Sequence, residues 1–293
     1  MCEFEKNKRA IFLQEKFYLE NQEYAKNKLS KNIFDKKPLA EDGWDLNDPE
    51  DVETYYRRMS WDQISEAMEY TQLLYSAGHP MPEVIAATHD MLERFHKHFG
   101  VDFPERKLQL WEPDTYAYIL WLLGLAVLSN HKPSLERIPN WLAPDLDENG
   151  DWIKGGAPLV DEPLKALLDF IGYTGKVQVD AEPFFPKSVY MLIPEIINPT
   201  REQGQPSVSP TQRRTELMQQ YLRGWYKTSK DTYWYDYHIV RDGELFFGYW
   251  SFEAGMLSVL LDLPYFSKPF KEMSFYPKDY VEYARTHGFA TLK

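Results

Sequence analysis

The chain predicts an all-α, helical fold, and three observations predict it. First, a proline follows an acid, a serine or a tyrosine at Asp48-Pro49, Glu112-Pro113, Glu162-Pro163, Ser209-Pro210 and Tyr276-Pro277. Proline at the first helical position costs little, because its missing N–H would be unpaired there anyway and its fixed φ already suits a helix. Second, the runs that follow carry apolar residues at three- and four-residue steps, and several close on glycine. Third, strand signals are sparse: YHIVRDGELFF (237–247) reads as at most one short hairpin, turning at Asp242-Gly243.

The elements follow in order. Residues 5–30 read as an amphipathic helix with lysines on its outer positions. Residues 49–77 form a long helix ended by Gly78, with Asp51 in a first turn where the helix dipole favours an anion. In 82–99, Ile85, Thr88, Leu92, Phe95 and Phe99 share a face and Gly100 closes the run. Residues 113–129 form an apolar helix with Asp114 in its first turn. In 163–171, Leu164, Leu167, Leu168 and Ile171 face one way before Gly172, and in 210–226 Leu217, Tyr221 and Trp225 step by four. GYWSFEAGMLSVLLDL (248–263) is apolar nearly all round, and Asp279 sits in the first turn of a last helix. The Pro- and Gly-rich stretch 138–158 and the polar, Pro-rich stretch 198–210 read as connectors. The expectation is an N-terminal helical part, residues 1–130, packed on a larger C-terminal helical part, 131–293.

Composition narrows the function classes. The chain has 293 residues, 43% of them hydrophobic, and a formal net charge of −12; its mean hydropathy is −0.54 and its pI about 5.1. Residues 1–40 hold nine Lys and Arg against six Asp and Glu, whereas residues 41–70 hold ten acids against two arginines. Such a chain is repelled by nucleic acid and anionic membranes and attracted to basic partners. A single cysteine, Cys2, excludes an intrachain disulfide. MCEFEKNKRA lacks the apolar stretch of a signal peptide, and no run reaches the length of a membrane span, so the cytoplasm is the expected compartment.

Motifs of chemistry fail one by one. Ser251 lacks the flanking glycines of a nucleophile elbow, since Tyr249 and Glu253 stand there. Gly172-Tyr-Thr-Gly-Lys176 lacks both the upstream glycine and the following Ser or Thr of a phosphate loop. His89, Glu93 and His96 share one helix face and would be the ligands of a metal-dependent hydrolase, but the second Glu-x-x-His that a di-metal site needs is missing, and the alternative is a polar helix flank with His98 equally exposed. Asp145-x-Asp147-x-Asn149-Gly150-Asp151 resembles the first half of a calcium loop, yet Gly156 occupies the position of the closing glutamate. Glu253 lies inside the apolar run 248–263 and is expected to be buried. A buried carboxylate needs a partner or a proton. Arg223, Lys227, His238 and the aromatics of WYKTSKDTYWYDYH (225–238) are the nearby candidates.

YLRGWYKTSKDTYWYDYH (221–238), GYWSFEAGMLSVLLDL (248–263) and FYPKDYVEYAR (275–285), in this order and spacing, resemble the C-terminal domain of PoNi-type immunity proteins, the inhibitors of the polymorphic DNase toxins called PoNe. YYRRMSWDQISEAMEYTQLLYSAGHP (55–80) and YAYILWLLGLAVLSN (116–130) are similar to the family's N-terminal domain. The resemblance implies a two-part helical fold, no enzymatic activity, no catalytic residues, no metal and no cofactor. It implies one partner, a cognate DNase toxin delivered between bacteria, often by type VI secretion. The family's shared residues, carried here as Trp225, Tyr226, Trp234, Gly248, Tyr249, Trp250, Glu253, Tyr276, Pro277 and Asp279, read as scaffold. The expected toxin-binding surface is the acidic cluster Glu41, Asp42, Asp45, Asp48, Glu50 and Asp51 with Trp44. The second candidate is Asp145, Asp147, Glu148 and Asp151 with Trp152. Acids can meet the cationic DNA-binding groove of a nuclease, and tryptophan is enriched at interface hot spots.

Overall fold

The computed structural model describes residues 3–200, 209–266 and 275–293. Its helices are α1 (Glu3–Asn7), α2 (Glu15–Leu29), α3 (Pro49–Ala77), α4 (Met81–Lys97), α5 (Pro113–Leu128), α6 (Lys132–Arg137), α7 (Glu162–Ile171), α8 (Ile193–Ile197), α9 (Pro210–Thr228), α10 (Phe252–Leu260) and α11 (Lys278–His287). Two short strands, β1 (Leu159–Val160) and β2 (Gln178–Val179), pair in parallel, with Leu159 opposite Gln178 and Val160 opposite Val179. The protein is all-α in class.

Proline punctuation sets the helix starts. Pro49, Pro113 and Pro210 each take the first helical position. Asp48 accepts from the Glu50 N–H at 2.9 Å, and the Ser209 hydroxyl from the Gln212 N–H at 3.2 Å; such caps satisfy donors that the helix leaves unpaired. At α7 the cap moves upstream to Asp161, which accepts from the Leu164 N–H at 3.2 Å. At α11 Pro277 is itself the capping residue and Lys278 leads the helix.

Contacts divide the chain into two compact units. One comprises Met1–Glu105 and Tyr237–Gly248; the other comprises Arg106–Asp236 and Tyr249–Lys293. Helix α5 thus falls in the second unit, whereas the division read from the sequence puts it in the first part.

The first unit is built on α3, with α2 and α4 packed against it. Lys28 of α2 pairs with Glu66 of α3 at 3.3 Å. Gln63 donates its amide to the carbonyls of Lys28 and Lys31, at 3.0 and 2.7 Å, closing the end of α2. Helix α3 ends as expected at Gly78, whose φ of +89° lets its N–H reach the Tyr75 carbonyl while the His79 N–H reaches Leu74. A side chain there would also strike the Asn7 carbonyl. The single helix expected over 5–30 is instead two. The N–H groups of Arg9 and Ala10 turn to the Ser76 carbonyl, at 2.8 and 3.1 Å, and the Arg9 guanidinium binds the carbonyls of Tyr75 and His79. The free end of α3 therefore takes up the donors that would have continued the first helix.

Ile85, Thr88, Leu92, Phe95 and Phe99 are all buried, as their spacing predicts. Gly100 does not close α4, because a wider π turn runs from His98 to Asp102. That turn carries the His98 ring inward, to 2.8 Å from the Ser60 hydroxyl. Burial pushes its imidazole down to about 4, so His98 is a neutral core residue and not an exposed one. The one short hairpin that the sequence allowed at 237–247 does not form: Val240–Gly243 is a helical turn with Arg241 and Asp242 at φ of 47° and 56°. The Glu244 and Phe246 N–H groups bond back to Arg241 and Gly243, leaving no ladder for a strand.

The second unit surrounds α5, whose residues from Tyr116 to Leu128 are all buried. A helix apolar on every face must be enclosed on every face, and α6, α10 and α11 do much of this. The closest approach is at Gly124, where an added Cβ would lie 2.6 Å from the Phe252 carbonyl carbon. No helix among the described residues is long and apolar enough to cross a membrane.

Gly124→Ala is expected to lower the melting temperature. Overpacking against backbone costs about 1–3 kcal/mol, which outweighs the at most ~1 kcal/mol that alanine gains in helix propensity. An unchanged melting temperature would show that α5 and α10 separate easily.

Candidate functional site

The structure answers the question posed by Glu253 first. Its residue is completely buried near the start of α10. One carboxyl oxygen, Oε1, accepts from the Tyr221 hydroxyl at 2.8 Å, the Trp225 indole N–H at 2.6 Å and the Ser251 hydroxyl at 2.7 Å. The other, Oε2, is buried with no hydrogen-bond partner among the described residues. The bonding partners are therefore neutral donors from α9 and the chain just before α10. Arg223 and Lys227 are exposed, and His238 belongs to the other unit, stacked 4.7 Å from Phe12. Of the two partners a buried acid can take, hydrogen-bond donors or a cation, Glu253 has the donors. Burial raises the Glu253 carboxyl above its ordinary value, and the three donors only partly oppose it.

A second buried acid, Asp161, lies nearby in the same network of aromatic hydroxyls. Tyr116 donates to it at 2.9 Å, and burial raises its carboxyl too. Tyr116 stacks on Tyr190 at 5.1 Å, and Tyr190 lies 6.4 Å from Tyr221. The two acids and three tyrosines form an interior polar array that solvent does not reach, suited to fixing α5, α7, α9 and α10 rather than to meeting a substrate. Asp161 was missed in the sequence, although its place one residue before Glu162-Pro163 is the signal of a cap.

Most of the other family-motif residues pack within the second unit. Trp225 and Trp234 stack at 5.6 Å, and Trp234 packs on Trp121 at 5.4 Å. Tyr249 sits 4.9 Å from Tyr226, whose hydroxyl donates to Asp236 at 2.6 Å. Trp250 and Tyr276 are buried, the latter against Phe266 at 5.4 Å. Gly248 is buried with a φ of +125°, and Asp279 lies half-buried in the first turn of α11 behind Pro277.

The acidic residues 41–51 cluster on an exposed turn leading into α3. Three of them hold that turn together. Asp45 accepts from the Asn47 N–H at 2.9 Å, Asp51 from the Asp45 N–H at 3.0 Å, and Asp48 caps α3. Trp44 is half-buried, edge-on to Tyr55 at 5.5 Å and under the Arg58 guanidinium at 5.3 Å. Glu41, Asp42 and Glu50 are exposed.

Residues 144–158 fold as a loop of isolated bridges, Pro144 to Pro158 and Leu146 to Trp152. Asp147 turns its carboxylate onto the loop's own N–H groups, Asn149 at 2.8 Å and Asp151 at 3.1 Å, which hold it below the usual carboxylate range. Asp145 accepts from the Leu146 N–H and the Gln178 amide. Trp152 packs on Trp111 at 5.9 Å. These carboxylates serve the polypeptide and do not converge as a calcium site. Glu148 and Asp151 are exposed. His89 and His96 are half-buried on α4 and Glu93 is exposed. Among the described residues, no three His, Cys, Asp or Glu side chains gather where they could hold a metal ion.

The class this architecture defines is a helical protein with a closed interior and its charge displayed outside. Two family models name it further. The N-terminal domain of PoNe immunity proteins matches residues 9–139, and the C-terminal domain matches residues 165–280. The chain belongs to the PoNe immunity protein family. No curated protein and no solved structure matches it.

Glu253 sets a pH dependence whose sign is fixed. A carboxyl raised in the folded state holds its proton more tightly there than in the unfolded chain. Its contribution is fully present below the unfolded value of about 4.3 and is lost as pH rises through the folded one. Glu253→Gln, followed by denaturant melts from pH 4 to 8, is expected to lose this downward contribution relative to wild type, on a background to which the raised carboxyls of Asp161, Glu66 and Asp114 add a fall and His98, held down to about 4, adds a rise. Glu253→Ala is expected to lose about 1–4 kcal/mol near pH 4, because three buried donors are orphaned, and less as pH rises and the wild type loses the contribution of its raised carboxyl. A wild-type slope in the glutamine variant would show that Glu253 does not titrate differently on folding.

Proposed function

We propose that this protein binds its cognate PoNe toxin, a DNase, and neutralises it by holding an acidic surface against the cationic region that takes up DNA. It performs no reaction itself and acts in the cytoplasm of the cell that makes it, in competition between bacteria that includes delivery by type VI secretion. The observation that carries this reading is the pair of family matches, which together span most of the chain.

Charge supports the mechanism. The unit formed by Met1–Glu105 and Tyr237–Gly248 holds 14 Lys and Arg against 23 Asp and Glu, a net −9 of the chain's −12. A DNA-cutting enzyme needs cations to bind phosphates, and opposite fields speed and orient association. Of the acids at 41–51, Glu41, Asp42 and Glu50 are those left to face a partner. The carboxylates of Asp45, Asp48 and Asp51 also hold the turn, so changing them would mix loss of charge with loss of structure. The loop of Asp145, Asp147, Glu148, Asp151 and Trp152 is the second candidate surface.

The test is co-expression with the DNase toxin encoded beside this gene. Cells are expected to survive, and the two proteins to co-purify; death at the rate of unprotected cells would end the reading. With purified partners, Glu41→Lys, Asp42→Lys and Glu50→Lys together are expected to slow association roughly 10-fold at low salt and much less at high salt. Unchanged association would clear this cluster of a role.

A further inference from the structure

Asn149 is the only asparagine of the chain that is followed by glycine, and that pair carries a chemistry of its own. The backbone nitrogen of Gly150 stands one bond beyond the Asn149 carbonyl, so its attack on the Asn149 side-chain carbonyl carbon closes a five-membered ring. An intramolecular reaction of this kind is governed by whether the two atoms can meet in the right geometry. Asp147, Glu148, Asn149, Gly150 and Asp151 are all exposed to water. Nothing crowds the nucleophile either: a Cβ added to Gly150 would meet no atom within 4 Å.

The fold nevertheless restrains both reacting groups, through one residue. The Gly150 N–H donates to the Asp147 carbonyl at 3.1 Å. The Asn149 and Asp151 N–H groups both donate to Asp147 Oδ1, at 2.8 and 3.1 Å. The Asp147 N–H closes the loop on the Asp151 carbonyl at 2.8 Å. The backbone N–H groups of Asn149 and Asp151, joined by the Asn149 side-chain amide, hold the Asp147 carboxyl below its ordinary value. It is therefore ionised at neutral pH, and a negative charge here opposes the one that the Gly150 nitrogen takes on as its proton leaves.

We infer that Asn149-Gly150 is a site of spontaneous deamidation and that Asp147 holds the reaction back. The step balances with water alone. The Gly150 nitrogen loses its proton and bonds to the Asn149 Cγ. The Cγ–Nδ2 bond breaks, and the amide nitrogen takes up a proton and leaves as ammonia. Water then opens the cyclic imide at one carbonyl or the other, leaving aspartate or isoaspartate at position 149. Both products add a negative charge to the loop. Isoaspartate also inserts a methylene into the backbone between Asp147 and Asp151, which the loop's hydrogen bonds span. An aged molecule thus presents a different loop from a new one.

The experiment incubates the full chain at mildly alkaline pH and follows the peptide that carries residue 149 by its mass, with isoaspartate resolved by chromatography. Folded wild type is expected to convert about fivefold more slowly than the same chain unfolded in guanidinium chloride, the worth of roughly one hydrogen bond. Asp147→Ala, folded, is expected to convert ~5-fold faster than folded wild type for the same reason. Asp147→Asn keeps an acceptor oxygen without the charge and is expected to fall between them. Melts of each variant establish that faster conversion does not come from global unfolding, and Asp147→Asn carries the comparison should the alanine variant melt early. An unfolded chain that shows no conversion at position 149 would overturn the site. Folded variants that convert no faster than folded wild type would overturn the restraint by Asp147.

Discussion

A carboxyl group enclosed by apolar helices must be given donors from the chain around it. Glu253 meets that demand through Tyr221 and Trp225 on α9 and Ser251 before α10. The three bonds converge on one oxygen, so α9 cannot slide or turn against α10 without orphaning several groups at once. Each orphan would cost about 1–3 kcal/mol, a large share of what holds a typical domain folded. Beside it, α5 is apolar on every face and touches α10 at Gly124 with no room for a methyl group. Orientation comes from the polar array, and close packing follows from the missing side chain.

The acidic surface separates in the same way into groups with local duties and groups without. Asp45, Asp48 and Asp51 spend their carboxylates on backbone N–H groups around the start of α3, and Asp147 does so in its own loop. A carboxylate engaged in this way still contributes to the long-range field, because charge is not consumed by a hydrogen bond. Its geometry is committed, however. Glu41, Asp42 and Glu50 carry no such duty in the turn and remain exposed.

Much of the fold was legible because helix starts and stops are local chemistry. Pro49, Pro113 and Pro210 stand where their prolines predict, and Gly78 and Gly172 end α3 and α7 in left-handed backbone. The apolar stripe from Ile85 to Phe99 is buried as its spacing requires. The family signature was legible too, since its aromatic and cap residues recur in a fixed order. What failed was long-range. The helix expected over 5–30 breaks because Ser76, far along the chain, offers its carbonyl to Arg9 and Ala10. Residues 237–247, where the sequence left a short hairpin open, fold as a turn whose Asp242 and Glu244 carbonyls are taken by Gln14 and Asn21. His98 is interior because a π turn after α4 aims it at Ser60.

By itself, then, the order of residues determined where helices begin and end, which faces are apolar, the burial of Glu253, the net negative charge and the family. Those properties depend on neighbours within a few turns, or on composition. Only the tertiary structure decided that Glu253 is met by neutral donors, that Tyr116 meets the second buried acid, Asp161, and that Tyr237–Gly248 belongs to the first unit. Each of these depends on which distant group arrives first at an unpaired donor or acceptor, and such groups are brought together by folding alone.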